Sequence, residues 1–206
     1  MSRSDLVVLV ADKDIESAIQ GVLNRPQRLR IRQITHKFEV DPEHDPGCFR
    51  RAHDLLRSQV RQFSHALVVF DHHGSGQDTL PRETVEQLVA DRLARAGWDE
   101  RAAVVVVAPE IEQWVWSDSP HVGQILGDPN VRAWLAAEGH WPDGLIKPPD
   151  PKGAMESVLR RAKRPRSPSN FKRIAEAVSF ERCTDPAFQR LCAVLRQWFP
   201  IETSTG

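Results

Sequence analysis

The sequence predicts an α/β domain with a largely parallel sheet, helices on both faces and a C-terminal helical appendage. Three continuous apolar runs carry this prediction, at residues 6–11 (LVVLVA), 65–70 (HALVVF) and 102–108 (AAVVVVA). Unbroken runs of this length, rich in β-branched residues, are typical of strands buried on both faces. Helical patterns separate the runs, and such alternation favours parallel strands joined by crossover helices.

The first strand leads into Asp12 and Asp14, which can cap a helix whose apolar residues recur at helical spacing until Pro26. Residues 29–40 alternate between apolar and polar and predict one less buried strand, or two. Residues 41–47 (DPEHDPG) predict a turn-rich loop. An amphipathic helix is predicted over residues 49–63.

The second buried strand ends at Asp71, before a glycine-broken loop over residues 72–77. A helix is predicted over 84–96, with Gly97 as its C-cap. After the third strand, Pro109 ends the extended run and a helix begins over 110–116. Short helices follow at 131–138, 154–162, 171–178 and 186–198. We therefore predict an α/β core over 1–118, a helical appendage of the same domain over 119–200 and a frayed tail over 201–206.

Composition excludes several classes of protein. The 206 residues carry 28 basic and 28 acidic side chains, so no global charge attracts nucleic acid or an acidic membrane. Three cysteines without a CxxC pair predict free thiols. The chain has no apolar run of membrane-spanning length and no signal-peptide pattern at its start, so a cytoplasmic protein is expected. The absence of GxGxxG and GxxxxGK[ST] motifs argues against a nucleotide-binding protein.

Acidic residues follow the predicted strands. Asp12, Asp71 and Glu110 each come just after a strand, and Glu112 is two residues further on. Since the carboxyl ends of parallel strands meet at one edge of a sheet, these side chains are expected to converge. Converging carboxylates can hold Mg²⁺ or Mn²⁺, which can activate water for attack on a phosphodiester.

We therefore predict Asp12, Asp71 and Glu112 as catalytic residues, and Asp71, His73, Glu110 and Glu112 as metal ligands. A histidine ligand would favour Mn²⁺ or Zn²⁺ over Mg²⁺. Purely structural roles remain open for the same residues. Asp12 can cap a helix, Asp71 can bind loop amides, and Glu110 can favour a helix N-terminus.

A basic run at residues 160–166 (RRAKRPR) has five basic side chains among seven residues. Such a run can track a phosphate backbone or dock onto an acidic partner, and a solvated loop is the alternative. The predicted contact residues are Lys152, Arg160, Arg161, Lys163, Arg164, Arg166 and Lys172.

These motifs occur in an order that resembles the small bacterial Toprim-like proteins related to RloB and to the nuclease domains of the OLD family. The resemblance rests on the strand before Asp12, the strand ending in Asp71, the PEIEQW motif at 109–114 and the later PKGA and SNFK stretches. The resemblance covers nearly the whole chain, and the motifs that carry it are short. It implies a Toprim-like fold and a role in bacterial anti-phage defence, for which an accessory component of a methylation-associated system is one option.

The resemblance also implies a divalent metal, an ATPase or other defence-system subunit as partner, contact with nucleic acid, no membrane and a possible oligomer. The chain departs from the family pattern at two positions. Asp12 stands where the family has a glutamate after the first strand, and Asp71-His72-His73 replaces an Asp-x-Asp pair. Glu112 matches the glutamate before the tryptophan, Trp114.

Two functions follow from these observations. The departures favour a non-catalytic subunit that acts with partner proteins or nucleic acid, and the alternative is an active metal-dependent nuclease. The two differ in geometry. An active site requires Asp12, Asp71, His73 and Glu112 to converge within about 4–6 Å of one point, with no basic side chain filling the gap.

Overall fold

A computed structural model describes residues 3–117 and 119–201 of the chain. Its sheet has four parallel strands in the order β2-β1-β3-β4. The strands are β1 (Ser4–Val10), β2 (His36–Val40), β3 (Phe63–Asp71) and β4 (Ala102–Val107). The predicted parallel α/β fold is confirmed, and the three buried strands lie within two residues of their predicted bounds.

Helices connect the strands and continue beyond them. Right-handed crossovers between parallel strands place α1 on one face of the sheet and α3 and α4 on the opposite face. The helices are α1 (Lys13–Leu23), α2 (Pro26–Leu29), α3 (His44–Arg57), α4 (Arg82–Leu93), α5 (Glu112–Val115), α6 (Pro120–Leu126), α7 (Val131–Ala137), α8 (Pro151–Arg161), α9 (Pro168–Ala177) and α10 (Pro186–Trp198). A π-helical segment, Ala94–Trp98, extends α4, and 3₁₀ turns occur at Asp99–Arg101 and Phe180–Arg182.

The structure corrects the prediction in the first half of the chain. The segment 41–47 is only partly a loop, since α3 already begins at His44. Pro46 lies in the first turn of that helix, where proline removes no intrahelical hydrogen bond. Within residues 29–40 only His36–Val40 form a strand, and Ile31 makes an isolated bridge to Pro200. The helix α6 was not predicted.

The helical appendage closes both a face and an edge of the sheet. Helix α9 packs closely on α1, and α10 lies against β4. The open edge of β4 is capped by side chains, since Val106 N donates to Glu86 Oε1 at 2.9 Å and Arg190 Nε donates to Val104 O at 3.0 Å. Capping of this kind keeps an edge strand from pairing with other chains.

Other expectations concern the cysteines, the membrane and the end of the chain. Cys48, Cys183 and Cys192 are free, as predicted. Across residues 3–117 and 119–201, none of the helices has the length and apolarity needed to cross a bilayer. The predicted frayed tail, 201–206, lies outside the described residues except for Ile201.

Replacement of Gly21 by alanine tests the contact between α1 and α9. The new Cβ would lie 2.6 Å from the backbone oxygen of Lys172 and 2.9 Å from Ala175 Cβ, so the helices must separate. In an open helix this change stabilises by about 1 kcal/mol. Here we expect destabilisation by about 1–3 kcal/mol, the usual cost of overpacking, measured by urea unfolding. A stabilised variant would show that the two helices do not pack this closely.

Candidate metal centre

The ends of β3 and β4 bring the acidic residues together. Asp71, the last residue of β3, pairs with Val107 of β4. The segments that follow β3 and β4 remain hydrogen-bonded to each other beyond the strands. His72 N donates to Val107 O at 2.8 Å, and His73 N donates to Pro109 O at 2.9 Å. The segment that carries Glu110 and Glu112 therefore lies beside Asp71.

Asp71, Glu110 and Glu112 form a carboxylate triad, with one oxygen from each within 4.8 Å of the other two. Asp71 and Glu112 are buried, 9% and 1% exposed, and Glu110 is partly exposed. In an octahedral Mg²⁺ site, opposite ligands lie about 4.2 Å apart and adjacent ligands about 3.0 Å apart, so these oxygens would move inward to share an ion. Asp71 Oδ1 is buried and has no hydrogen-bond partner among the described residues.

Three further carboxylates surround the triad. Asp45 Oδ1 accepts a hydrogen bond from Asp71 N at 2.8 Å, and Asp12 Oδ1 caps α1 by accepting from Ile15 N at 2.8 Å. Burial raises the pKa of Asp71 well above its usual range, and the nearby charges of Asp45, Glu112, Asp12 and Glu110 raise it further. Burial likewise raises the pKa of Asp14, Asp45 and Glu112.

Two cationic side chains contact this acidic cluster, which we define as Asp12, Asp14, Asp45, Asp71, Glu110 and Glu112. Arg166 Nη2 lies 2.7 Å from Asp14 Oδ2 and 2.5 Å from Glu112 Oε1. Lys152 Nζ lies 3.4 Å from Glu110 Oε2. Six carboxylates against two cations leave four negative charges when all groups are ionised. A divalent cation would offset half of that excess.

The predicted site residues divide into two groups. Asp71, Glu110 and Glu112 converge as expected, and Asp12 lies near them while it caps α1. His73 does not join them in this structure, and its assignment as a metal ligand stays a prediction. Its side chain is 75% exposed and its Nδ1 lies 3.5 Å from Asp78 Oδ1. The loop turns that side chain towards solvent after Asp71.

The basic residues predicted to contact nucleic acid or a partner lie in different places, some at the triad and others on the helical appendage. Arg166, together with Lys152, contacts the acidic cluster. Arg161 pairs with Asp128 at 3.1 Å, and Arg164 Nη1 donates to Ile125 O at 2.9 Å, where it braces the end of α6. The remaining predicted contact residues lie elsewhere: Arg160 and Lys163 are exposed, and Lys172 lies at the contact of α9 with α1.

Sequence reasoning missed three features of the site. Asp45 belongs to the segment predicted as a loop, and α3 brings its carboxylate to the backbone of Asp71. Asp14 was considered only as a helix cap, although it binds Arg166. The position of Arg166 between two carboxylates depends on the return of the chain from α8 to α9, which no local motif signals.

Comparison with known proteins identifies no relative: the chain matches no family model, no curated protein and no solved structure. The fold and the carboxylate cluster are therefore the basis for the functional argument.

The pKa shifts predict how stability depends on pH. A carboxyl group whose pKa is raised by folding stabilises the native state fully below its unfolded value, near 3.8 for Asp71, and loses that contribution as pH rises through the folded pKa. In EDTA, Asp71→Asn should therefore be more stable than wild type at pH 8, by about 1.4 kcal/mol per unit of pKa shift. The difference should shrink towards pH 4. Urea unfolding at several pH values measures it, and a difference independent of pH would contradict the assignment.

Proposed function

We propose that the chain is a Toprim-like, metal-dependent phosphodiesterase that acts on nucleic acid, with Asp71, Glu110 and Glu112 as its metal ligands. The observation that supports this most is the burial of Asp71, a member of the triad whose Oδ1 has no hydrogen-bond partner in the described part of the chain. A buried carboxylate without a partner is costly unless a cation binds it. The parallel sheet with acids at its carboxyl edge also fits the Toprim-like arrangement.

The residues of the triad suit a hard cation. All three ligands are carboxylates, which Mg²⁺ and Mn²⁺ prefer, and no thiol or imidazole joins them among the described residues. Bound there, a divalent ion would polarise a phosphodiester and lower the pKa of an attacking water. Glu110 is the partly exposed member, and its carboxylate lies 3.4 Å from Lys152, so it can move inward to complete the site.

Arg166 and Lys152 are suited to bind the phosphate group of a nucleic-acid substrate. Both are cations at the rim of the triad, and the Arg166 side chain is 34% exposed. An arginine fork matches a phosphate group, so Arg166 can exchange its carboxylate partners for a phosphate of the substrate. The two side chains then orient the phosphodiester beside the ligands that hold the ion.

Cleavage and metal binding test this function together. We expect plasmid cleavage in Mn²⁺ or Mg²⁺ that Asp71→Asn and Glu112→Gln reduce at least a hundredfold, because each removes a charged ligand. Mn²⁺ at 100 times its Kd should stabilise wild type by about 2.7 kcal/mol in thermal unfolding, and neither variant should respond.

The matched control is Asp78→Asn, which removes an exposed carboxylate that contacts His73 outside the cluster. It should retain both cleavage and stabilisation by Mn²⁺. Stabilisation by Mn²⁺ that persists in Asp71→Asn would show that the ion binds elsewhere, and cleavage that persists would point to a contaminating nuclease.

A second candidate is a non-catalytic subunit of a bacterial anti-phage defence system, which acts with an ATPase or another partner subunit and with nucleic acid. The observation that favours it is the pairing of Arg166 with Glu112 and Asp14, and of Lys152 with Glu110. In this alternative the two side chains permanently replace the charge of an ion. The sequence departures at Asp12 and at His73 point in the same direction. So does the geometric criterion given above for an active site, which is not met, since His73 lies apart from the triad and Arg166 contacts Glu112.

Arg166→Gln separates the two candidates. If Arg166 serves the substrate, the variant should bind Mn²⁺ at least as tightly as wild type, because a competing cation is gone, while cleavage falls. If Arg166 replaces an ion, wild type should bind no Mn²⁺ at the triad, and the variant should lose at least about 3 °C in Tm in EDTA, equivalent to about 1 kcal/mol. Calorimetric titration with Mn²⁺ and thermal unfolding in EDTA provide both measurements.

A further inference from the structure

A basic cleft lies on the face of the sheet opposite α9. It has a volume of about 170 Å³, lies between α3 and the extended end of α4, and is lined by His53, Arg57, Arg92, Arg95 and Ala96. Four of its five lining residues are basic and none is acidic. In a chain with no net charge, such a local concentration of one sign marks a surface for anions. We refer to it as the α3–α4 cleft.

We propose that the α3–α4 cleft binds phosphate groups of a nucleic-acid strand at a distance from the metal centre. This inference rests on the proposed function, because it assigns a second contact to the same substrate. Three arginines line one small cavity, and guanidinium forks bind phosphate oxygens with charge-assisted hydrogen bonds. Contacts of this kind fix the position of a nucleic acid without regard to its sequence.

The arginines of the cleft are positioned but not neutralised. Arg92 Nη1 donates to Phe49 O at 2.6 Å, and Arg95 Nε donates to Asp91 O at 3.1 Å, so each is held by a backbone carbonyl. Among the described residues, Asp54 provides the acidic contacts of the cleft, 3.5 Å from Arg57 and 3.6 Å from His53, and it is 62% exposed. An exposed pair of this length neutralises little charge, so the cleft retains its attraction for anions.

Helix α3 links the cleft to the metal centre. Its first turn carries Asp45, which binds the backbone of Asp71, and its later turns carry His53 and Arg57. At 1.5 Å per residue, those two side chains lie about 12 and 18 Å along the helix from Asp45. Phosphates of one strand recur about every 3.4 Å along a duplex, so the cleft lies roughly four or five nucleotides from the triad. A nucleic-acid strand can contact both sites over that distance, whereas a small phosphorylated ligand is too short to do so.

Binding of a labelled 20-base-pair DNA duplex in EDTA tests the cleft without any cleavage. The test variant is Arg57→Gln/Arg95→Gln, which leaves Arg92 in place because it supports the backbone of α3. We expect about tenfold weaker binding, measured by fluorescence anisotropy. The slope of log K against log salt should fall by about 1.8, the contribution of two phosphate contacts.

The control variant is Arg28→Gln/Arg173→Gln, which removes the same charge from exposed positions on α2 and α9. It should bind the duplex within twofold of wild type, and thermal unfolding should show that both double variants are folded. An unchanged affinity and salt slope in Arg57→Gln/Arg95→Gln would overturn the proposal. So would an absence of salt-dependent DNA binding by wild type, or binding of polyglutamate through these arginines in place of DNA.

The outcome is distinguishable from that of the proposed function, because this assay contains no metal. Asp71→Asn should bind the duplex as wild type does in EDTA. If cleavage is absent but the cleft variant loses affinity, the cleft stands and the phosphodiesterase fails. If cleavage requires Asp71 but the cleft variant binds normally, the enzyme stands and the cleft fails.

Discussion

The buried carboxylate of Asp71 imposes the main electrostatic constraint on this fold. It ends the inner strand β3, has one oxygen without a partner in the described part of the chain, and lies within reach of four other acids. Burial without a counterion raises its pKa and costs native-state stability at neutral pH. The arrangement is stable only if cations lie nearby. Arg166 and Lys152 supply two, and a divalent ion would supply the charge that the triad still lacks.

Because of this constraint, the helical appendage has an electrostatic role in addition to its packing. Lys152 lies in the first turn of α8, and Arg166 precedes α9, so the appendage carries both cations to the acidic edge. Close packing of α9 on α1 through Gly21 holds that connection in place. Helix α10 binds the outer edge of β4 through Arg190. The sheet thus presents the carboxylates, and the appendage presents the charges that balance them.

The buried strands and the positions of Asp71, Glu110 and Glu112 could be predicted, because apolar runs and parallel topology fix where strands end. The start of α3 could not, since DPEHDPG suits a turn and a helix start equally well. The position of His73 outside the triad could not be predicted, because the direction of a side chain in a loop depends on local contacts, here with Asp78. The position of Arg166 depends on packing between distant segments, which no local pattern encodes.

The central claim is that the triad binds a divalent cation, and anomalous diffraction from crystals soaked in Mn²⁺ tests it most directly. The account predicts one strong peak bonded to oxygens of Asp71, Glu110 and Glu112, about 2.1–2.2 Å from each. It also predicts that Arg166 has moved away from Glu112. No peak at the triad under saturating Mn²⁺, with Arg166 still bound to Glu112 and Asp14, would contradict it.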